Sequence, residues 1–332
     1  MENKIRVVQF GLGPIGCAAA RLVTQRTNLE LVGAVDIDPQ KIGQDIGNVI
    51  GLDTELGISV SGSLADALAV HEADVALHMT SSYFDMFKSQ IVEILDAGLD
   101  IVSTAEELSF PWRDNHGHAT ELDAVAKKAG KSVLGTGVNP GFLMDALPLT
   151  ITGICQEVSH ISVTRIINAS ERRGPFQKKI GSGMEVEAFM QKMEEGRMGH
   201  VGLPESMAML FDTLGRRMTD YTDTVEPVVA EKLTETDHFT VDAGKVKGLK
   251  QVATASSPDG EFAKLTFIAA LDMEDDGDTI TIQGTPDLVV NLKGTNGDYS
   301  TVAIAVNAIS RVFEAGPGVL TMRDIPPVTV SR

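Results

Sequence analysis

Residues 7–16 read VVQFGLGPIG, a buried-strand pattern that runs directly into a glycine-rich turn. The helical segment CAAARLV follows at once, so the turn joins a strand to a helix. In a GxGxxG turn, the first glycine permits the tight turn, the second lets the backbone approach a pyrophosphate, and the third lets the helix pack closely. The helix N-terminus then faces the phosphates with unpaired N–H groups. The predicted phosphate-binding residues are Gly11, Gly13, Pro14, Ile15 and Gly16.

A second predicted strand, residues 29–35 (LELVGAV), ends at Asp36. A carboxylate at this distance from the glycine motif accepts hydrogen bonds from an adenosine ribose, and we favour this role over a helix N-cap or a loop acid. Asp36 therefore favours NAD. Lys41 lies just downstream and is within reach of a 2′-phosphate. The predicted cofactor is NAD(P)H, with the preference between NAD and NADP, or the use of both, left open.

Length and composition indicate a cytoplasmic two-domain protein. The 332 residues exceed the size at which one core keeps growing. No apolar run is long enough for a membrane span, and no signal segment precedes the first strand, so we expect no membrane partner. The net charge of −18 repels polyphosphate backbones and excludes nucleic acid as a partner. Two cysteines and scattered histidines predict neither a disulfide framework nor a metal site.

Strands and helices keep alternating after Asp36, which is typical of a right-handed parallel sheet. The sequence thus predicts an α/β fold with a Rossmann-type doubly wound parallel sheet. Further strands are expected at residues 58–60, 74–79, 100–103 and 132–135, with helices at residues 45–49, 64–70, 83–97 and 119–129.

From about Val158 the pattern changes to longer, β-rich segments, which predict a second α+β domain built on an open, mostly antiparallel sheet. We expect a partner subunit to cover this sheet, and therefore a homodimer. An apolar helix at residues 300–313 is expected to pack back on the first domain. The predicted domains are residues 1–145, 146–298 and 299–332. Strands are expected at residues 160–168, 238–241, 248–256, 262–270 and 279–283, and helices at 186–195 and 203–214.

Ligands of a doubly wound sheet bind beyond the carboxyl ends of its strands, and three segments meet that condition. Thr80, Ser81 and Ser82 follow one strand, where small hydroxyl residues can approach the nicotinamide ribose and its phosphate without crowding. They are also suited to capping the next helix, and the two roles are compatible.

Glu106 and Glu107 follow the next strand. A buried acid whose pKa is raised towards neutrality can take a proton from ammonium and shuttle protons while a carbonyl becomes an imine. Adjacent side chains point apart, so we expect one glutamate to face the ligand, with Glu106 as the first choice and Glu107 as the second. The alternative is that the pair opens a solvated helix, which Pro111 disfavours.

The third segment, GTGVNPGF, combines clustered glycines with Asn139 and ends at Phe142. Glycine clusters mark turns or close backbone approach. Asn139 is a candidate to hold the nicotinamide carboxamide or a substrate heteroatom, and Phe142 to form an apolar pocket wall. Turn structure alone would also explain Asn-Pro-Gly.

One concentrated basic patch, ASERRGPFQKKIGSGM, stands out in this acidic chain. Arg172 in this patch is a candidate to bind a substrate carboxylate or a cofactor phosphate, although a solvated loop explains the patch equally well. Asn168, at the end of the preceding strand, is a candidate to line the same substrate pocket.

The motifs GLGPIG, VDIDP, TAEELSFPW, GTGVNPGF, RRGPFQKKIGSG and GHVGLPES occur in this order along nearly the whole chain. In these motifs the sequence resembles the 2,4-diaminopentanoate dehydrogenase family and its relatives, the native NAD(P)-dependent amine dehydrogenases. The N-terminal domain is also similar to that of dihydrodipicolinate reductase. The resemblance implies reversible oxidative deamination of an amine to a ketone and ammonia, a catalytic glutamate within residues 105–107, a pocket that includes Phe142, and a homodimer. The histidine pair and lysine of dihydrodipicolinate reductases have no counterpart in ERRGPFQKKIG, which disfavours their substrate.

Three hypotheses for function follow. The leading one is an NAD(P)-dependent amine dehydrogenase, whose small-molecule partners are an amine or ketone and ammonia. The second takes a diamino acid such as 2,4-diaminopentanoate as the substrate, and requires a cationic clamp from Arg165, Arg172 or Arg173. The third is a non-catalytic NAD(P)-binding regulatory protein, which the strand-end glutamates disfavour.

Overall fold

A computed structural model describes residues 4–113 and 116–330 of the chain. Among these residues the chain divides into two compact units. The first contains the residues up to Phe142 together with those from Asn296 onward, and the second is Leu143–Thr295. Each division lies a few residues before the corresponding predicted domain boundary.

The first unit begins with the predicted alternation of strands and helices. Its parallel strands are buried on both faces, so they read as nearly continuous apolar runs. The elements are β1 Ile5–Phe10, α1 Pro14–Thr24, β2 Leu29–Val35, α2 Ile46–Val49, β3 Val60–Ser61, α3 Leu64–Val70, β4 Val75–His78, α4 Phe84–Asp96, β5 Asp100–Ser103, α5 His116–Ala129 and β6 Ser132–Gly135.

The second unit contains a six-stranded sheet with helices packed against it. The elements are α6 Ala146–Thr152, β7 Glu157–Asn168, α7 Gly174–Lys179, α8 Val186–Glu194, α9 Leu203–Thr213, β8 Asp220–Val229, β9 Thr234–Glu235, β10 Thr240–Val241, β11 Val246–Ser257, β12 Gly260–Ala270, β13 Gly277–Thr285 and β14 Leu288–Leu292.

The strand order of this sheet is β14-β13-β7-β12-β11-β8. Only β7 and β12 pair in parallel, so the prediction of a mostly antiparallel sheet is confirmed. Along β7, buried residues such as Ile161 and Val163 belong to the apolar core, and they alternate with half-buried residues such as Ser162 and Thr164. One face of the sheet is therefore apolar and packed, and the other is polar and rich in threonine.

The chain then returns to the first unit with α10 Gly297–Phe313 and β15 Gly318–Leu320. The Asn296 side chain caps α10 by accepting hydrogen bonds from the N–H groups of Asp298 and Tyr299. Helix α10 packs against α1 and β5, while α4 and α5 pack together and α4 also contacts β5. The completed sheet has the order β15-β6-β5-β4-β1-β2-β3 with every pair parallel, which confirms the predicted fold class.

Helix α4 shows how the sequence builds this packing. Its buried residues recur at the spacing of one helix face and join the core of the first unit beneath the sheet. They are Phe84, Phe87, Ile91, Ile94 and Leu95. Among the described helices we find none with the length and apolar character that a membrane crossing requires.

Candidate active site

The loops that leave the carboxyl ends of four neighbouring strands, β1, β4, β5 and β6, lie against one another. A Cβ atom added at Gly11, after β1, would overlap the carbonyl oxygen of Met79, after β4. The N–H of Thr136, after β6, donates to the carbonyl oxygen of Ser103 at the end of β5, at 2.8 Å. The segments predicted to bind the cofactor are therefore neighbours at one edge of the parallel sheet.

The glycine-rich turn has the geometry that a pyrophosphate requires. Gly11 has a φ angle of 93°, and a Cβ at Gly16 would overlap the carbonyl oxygen of Gly11, so neither position tolerates a side chain. A Cβ at Gly13 would meet no protein atom within 4 Å, which leaves the outer side of the turn open. Helix α1 begins at Pro14 without a side-chain cap, so its first N–H groups remain available to an anion. These residues fit a dinucleotide.

Asp36 and Lys41 form an ion pair beside this turn. Asp36 Oδ2 accepts hydrogen bonds from the N–H of Leu12 at 2.7 Å and from Lys41 Nζ at 3.3 Å, while Oδ1 accepts from the N–H of Asp38 at 2.8 Å. Lys41 Nζ also donates to the carbonyl oxygen of Leu12 at 3.1 Å. The carboxylate thus braces the glycine turn and has a cation at its side.

The surroundings keep both members of this pair charged. Burial by itself would raise the pKa of Asp36, but the N–H groups of Asp38 and Leu12 and the ammonium of Lys41 lower that pKa below its ordinary value. Burial would lower the pKa of Lys41, and the hydrogen bond and the charge of Asp36 raise it instead. A 2′-phosphate would meet Lys41, and a ribose hydroxyl would meet Asp36.

The loop after β4 presents hydroxyl groups, as the sequence predicts. Thr80 is exposed, and its hydroxyl donates to Gln90 Oε1 at 2.7 Å. Ser81 Oγ accepts a hydrogen bond from the N–H of Tyr83 at 3.3 Å, just before α4 begins. The carbonyl oxygen of Ser82 accepts the N–H of Glu107 at 3.2 Å, which ties this loop to the next.

The two glutamates after β5 form a short 3₁₀ helix, Glu106–Leu108, and both are half-buried. Glu107 Oε2 accepts a hydrogen bond from the N–H of Phe84 at 2.6 Å, so its carboxylate caps the N-terminus of α4. The carbonyl oxygen of Glu106 accepts the N–H and the hydroxyl of Ser109, at 3.1 and 2.8 Å. The capping contact gives the Glu107 carboxylate a structural role.

The loop after β6 depends on close backbone approach. A Cβ at Gly135 would overlap the backbone of Leu108, so this glycine lets the turn that carries the glutamates rest on β6. Gly141 has a φ angle of 116° and faces the backbone of Gly137. Asn139 is buried and Phe142 is half-buried in the same loop. The predicted turn is therefore present next to the glutamate turn.

In the second unit, the candidate pocket residues are held by local contacts. The Asn168 amide donates to a backbone carbonyl at 3.0 Å and accepts a backbone N–H at 3.1 Å. The Arg172 guanidinium lies 4.4 Å from the centre of the Phe176 ring. Gln177, which is fully buried, donates to the carbonyl oxygen of Arg172 at 2.8 Å. The basic patch is thus an ordered turn rather than a freely solvated loop.

Arg165 does not suit the role of a carboxylate clamp. It is 2% exposed and lies 3.4 Å from Asp278, which is also 2% exposed, on the neighbouring strand β13. Burial lowers the pKa of Arg165, which the charge of Asp278 opposes. This guanidinium is already paired inside its own unit.

His78, Ser103 and Gln90 form a hydrogen-bonded group that sequence reasoning missed. The available signal was a titratable residue at the end of an otherwise apolar strand, VALH. Within residues 4–113 and 116–330, no group of three or more His, Cys, Asp or Glu side chains is placed to hold a metal ion.

Comparisons with known proteins agree with this architecture. Residues 142–331 match the profile of the 2,4-diaminopentanoate dehydrogenase C-terminal domain, and residues 5–104 match that of the dihydrodipicolinate reductase N-terminus. The chain is 32% identical to a 2,4-diaminopentanoate dehydrogenase from Acetoanaerobium sticklandii, over 98% of this chain and 94% of that protein. It is 24% identical to an amine dehydrogenase from Streptomyces virginiae, over 97% and 96% of the two chains.

A solved structure shares the fold. The amine dehydrogenase from Mycobacterium smegmatis superposes with a TM-score of 0.88, at 23% identity, over 99% of this chain and 98% of that chain. The similarity therefore extends over both units.

Proposed function

Because the chain belongs to the 2,4-diaminopentanoate dehydrogenase family, we propose that it catalyses the reversible NAD(P)-dependent oxidative deamination of a primary amine. In the oxidative direction, amine, NAD(P)⁺ and water give a carbonyl compound, ammonia, NAD(P)H and a proton. The observation that carries the proposal is that the loop after β4 contacts both the glycine-rich turn and the turn that carries Glu106, at one edge of the parallel sheet. An acid at this edge is suited to proton transfer next to the redox cofactor.

The residues that would hold the cofactor are those of the glycine turn, the Asp36–Lys41 pair, the hydroxyl loop of residues 80–82 and Asn139. The open side of Gly13 would take the pyrophosphate, and Asp36 the adenosine ribose. When bound, NAD(P) supplies a nicotinamide ring that accepts hydride from the amine carbon or returns it.

The Glu106 carboxylate is the group that we propose moves the protons. In the oxidative direction it accepts a proton from the substrate ammonium, which frees the nitrogen lone pair to assist loss of hydride from the carbon. It then releases this proton to solvent and takes a proton from the water that attacks the resulting iminium carbon. It returns that proton to the nitrogen and takes the hydroxyl proton as ammonia leaves and the carbonyl forms. In the reductive direction the same carboxylate takes the steps in reverse. Glu107 supports this role by holding the turn against α4.

Phe142 is the proposed apolar wall for the substrate, and Asn168 and Arg172 are the candidate substrate-recognition residues of the second unit. A diamino acid is the second candidate substrate. It is favoured by the family relative that is 32% identical and by the cationic Arg172 in an ordered turn.

Turnover assays test the proposal directly. The purified protein is incubated with NADH or NADPH, ammonium and a panel of ketones and aldehydes, and cofactor oxidation is followed by absorbance. We expect oxidation that requires both ammonium and the carbonyl, and amine product by mass spectrometry. Cofactor binding without turnover on any member of the panel would favour the regulatory protein. Faster turnover of amines that carry a carboxylate than of matched alkyl amines would select the diamino acid.

We also propose a homodimer formed through the polar face of the six-stranded sheet. This face is built from threonines on several strands, with the hydroxyls of Thr222 and Thr254 2.8 Å apart on β8 and β11. A polar sheet face of this kind suits pairing with a second copy. Free cysteines and the use of NAD(P)H support a cytoplasmic location.

Light scattering on a size-exclusion column tests the dimer. We expect a dimer for the wild type and a monomer for Thr164→Glu, because the charge would be buried at the interface. The matched control is Thr120→Glu, at an exposed position of α5, which should remain dimeric. A monomeric wild type at micromolar concentration would exclude the proposed dimer.

A further inference from the structure

His78 is the last residue of β4 and is fully buried in the first unit. Its imidazole contacts the end of β5, helix α4 and the loop that follows β4. Nδ1 is 2.9 Å from Ser103 Oγ, and Nε2 is 2.9 Å from Gln90 Oε1 and 3.0 Å from Thr80 Oγ1. None of these contacts is used by the proton-transfer steps proposed above.

The imidazole is uncharged at neutral pH. Burial lowers the pKa of His78 to about 4, and the hydrogen bond with Gln90 opposes that shift only in part. A neutral imidazole has one N–H donor and one acceptor nitrogen, so its neighbours decide which nitrogen carries the proton.

The partners of His78 place that proton on Nε2. Gln90 Oε1 carries no hydrogen and already accepts the Thr80 hydroxyl at 2.7 Å, so its contact with Nε2 requires a donor on the histidine. Nδ1 is then an acceptor and takes the hydroxyl hydrogen of Ser103. Ser103 Oγ in turn accepts the N–H of Ala105 at 3.1 Å. Donation therefore runs from Ala105 through Ser103 and His78 to Gln90.

This order sets the polarity of Thr80. Its hydroxyl hydrogen is committed to Gln90, so the exposed oxygen meets a ligand as an acceptor. An acceptor at this loop suits an N–H or O–H donor, such as the carboxamide or a ribose hydroxyl of a nicotinamide nucleoside.

The same hydrogen-bonded group also holds the backbone that leads to Glu106. Ser103 Oγ accepts the N–H of Ala105, the residue that immediately precedes the glutamate turn. The N–H of Thr104 also donates to the carbonyl oxygen of His78, at 3.1 Å. One side chain therefore contacts both the hydroxyl loop and the strand end that carries the proposed acid.

We propose that His78 is a positioning residue of the dehydrogenase site, which orients the Thr80 hydroxyl as an acceptor for the nicotinamide nucleoside and holds the turn that carries Glu106. The part of this inference that concerns Glu106 rests on the proposed function. The part that concerns Thr80 requires only that the protein bind NAD(P)H.

Two variants test the Thr80 part and the Glu106 part of the proposal separately. The His78→Gln side chain carries an amide near the position of Nε2, and the His78→Asn side chain carries one near the position of Nδ1. His78→Gln should keep NAD(P)H affinity within about twofold and lower kcat about tenfold or more, because the turn is released. His78→Asn should weaken NAD(P)H binding about tenfold and keep kcat at saturating cofactor within about threefold. Fluorescence titration gives the dissociation constants, and ammonia-dependent NAD(P)H oxidation gives kcat.

Ser132→Ala is the matched control, because Ser132 is also buried at a strand end, where its hydroxyl donates to the carbonyl oxygen of Gly316 at 2.9 Å. It should lower Tm without changing the dissociation constant or kcat.

If both His78 variants changed the dissociation constant and kcat together, in proportion to their loss of Tm, the positioning role would be overturned. Protonation of Nδ1 in a two-bond ¹H–¹⁵N spectrum of the imidazole would overturn it as well. If the wild type binds NAD(P)H without turnover, the proposed function fails. The NAD(P)H dissociation constants of the two His78 variants still decide whether His78 orients the Thr80 hydroxyl.

Discussion

His78 in the first unit and Arg165 in the second are both fully buried on inner strands of their sheets, but they are stabilised in different ways. His78 is uncharged, lies at the end of β4 and contacts the end of β5 and the loop that follows β4. Arg165 lies within β7 and faces one carboxylate, Asp278, on the next strand. A polar group at a strand end organises a site, whereas a polar group inside a strand ties two strands together. Substitutions of the first should therefore change activity, and substitutions of the second should change stability.

The largest expected effect is the loss of activity when the proposed acid, Glu106, is replaced. Glu106→Gln removes the proton-transferring carboxylate and should lower kcat about 10²- to 10⁴-fold. Glu107→Gln is the matched variant, because it removes the negative charge from the capping interaction at α4 and should mainly lower stability, by about 1 kcal/mol. Steady-state kinetics and thermal melts of both variants check this. A Glu107→Gln variant that lost more activity than Glu106→Gln would reverse the assignment.

The Arg165–Asp278 pair should show the largest effect on stability. Arg165→Met leaves Asp278 buried without its cation, and we expect the free energy of unfolding to fall by about 3–5 kcal/mol. Adding Asp278→Leu should recover most of that loss, since the uncompensated charge is then gone.

Denaturant unfolding of both variants measures these changes. The control is Lys88→Met, in the exposed ion pair with Glu121 at 2.7 Å, which should cost about 0–1 kcal/mol. An equal loss in Arg165→Met and Lys88→Met would show that burial of the Arg165 pair adds nothing.

The uncharged state of His78 predicts a pH dependence of stability. In the folded protein His78 takes a proton only near pH 4, whereas in the unfolded chain it does so near its ordinary value of 6.5. Between these values the unfolded chain binds more protons, so the free energy of unfolding should fall as pH drops from about 6.5 to 4, by roughly 3 kcal/mol. His78→Asn should lose this part of the slope in denaturant unfolding at several pH values. An unchanged slope would mean that the pKa of His78 in the folded protein is close to its ordinary value of 6.5.

The smallest expected effect concerns the choice of cofactor. Lys41→Ala removes the cation beside Asp36 and should weaken NADPH binding about tenfold, while NADH binding changes by less than about twofold. Lys128→Ala, at an exposed position of α5, is the control for the loss of one positive charge. Parallel titrations with the two cofactors measure the ratio of the NADPH and NADH dissociation constants. An equal loss for NADH and NADPH would show that Lys41 braces the turn and does not read the 2′-phosphate.

The two sheets were not equally readable from the sequence. Strands β2, β5 and β6 are mostly apolar, and their predicted segments have the bounds that the structure shows. Strand β8, DYTDTVEPVV, was missed because it is acidic and largely exposed and lacks an apolar alternation. Strand β15 was missed because three residues carry no periodicity, and it is a strand only through its pairing with β6.

The candidate site was likewise predictable from the sequence only in part. GLGPIG, Asp36 and the strand-end glutamates were readable, because turn geometry and ligand chemistry require those residue types at those spacings. The choice between Glu106 and Glu107 was not, since adjacent residues of one type look alike in a sequence. The contact of Glu107 with the N-terminus of α4 gives that side chain a structural role, and α4 begins more than twenty residues earlier in the chain.

The sequence by itself determined the alternation of strands and helices, the glycine turn and the residue types at the strand ends, because these depend on local backbone geometry and on burial patterns. Only the tertiary structure decided which polar groups pair: His78 with Ser103 and Gln90, and Arg165 with Asp278. Their partners lie 12 to 113 positions away in the chain, on separate elements that meet only when the sheets assemble. A buried polar group is stabilised by the particular atoms around it, and no local pattern specifies those atoms.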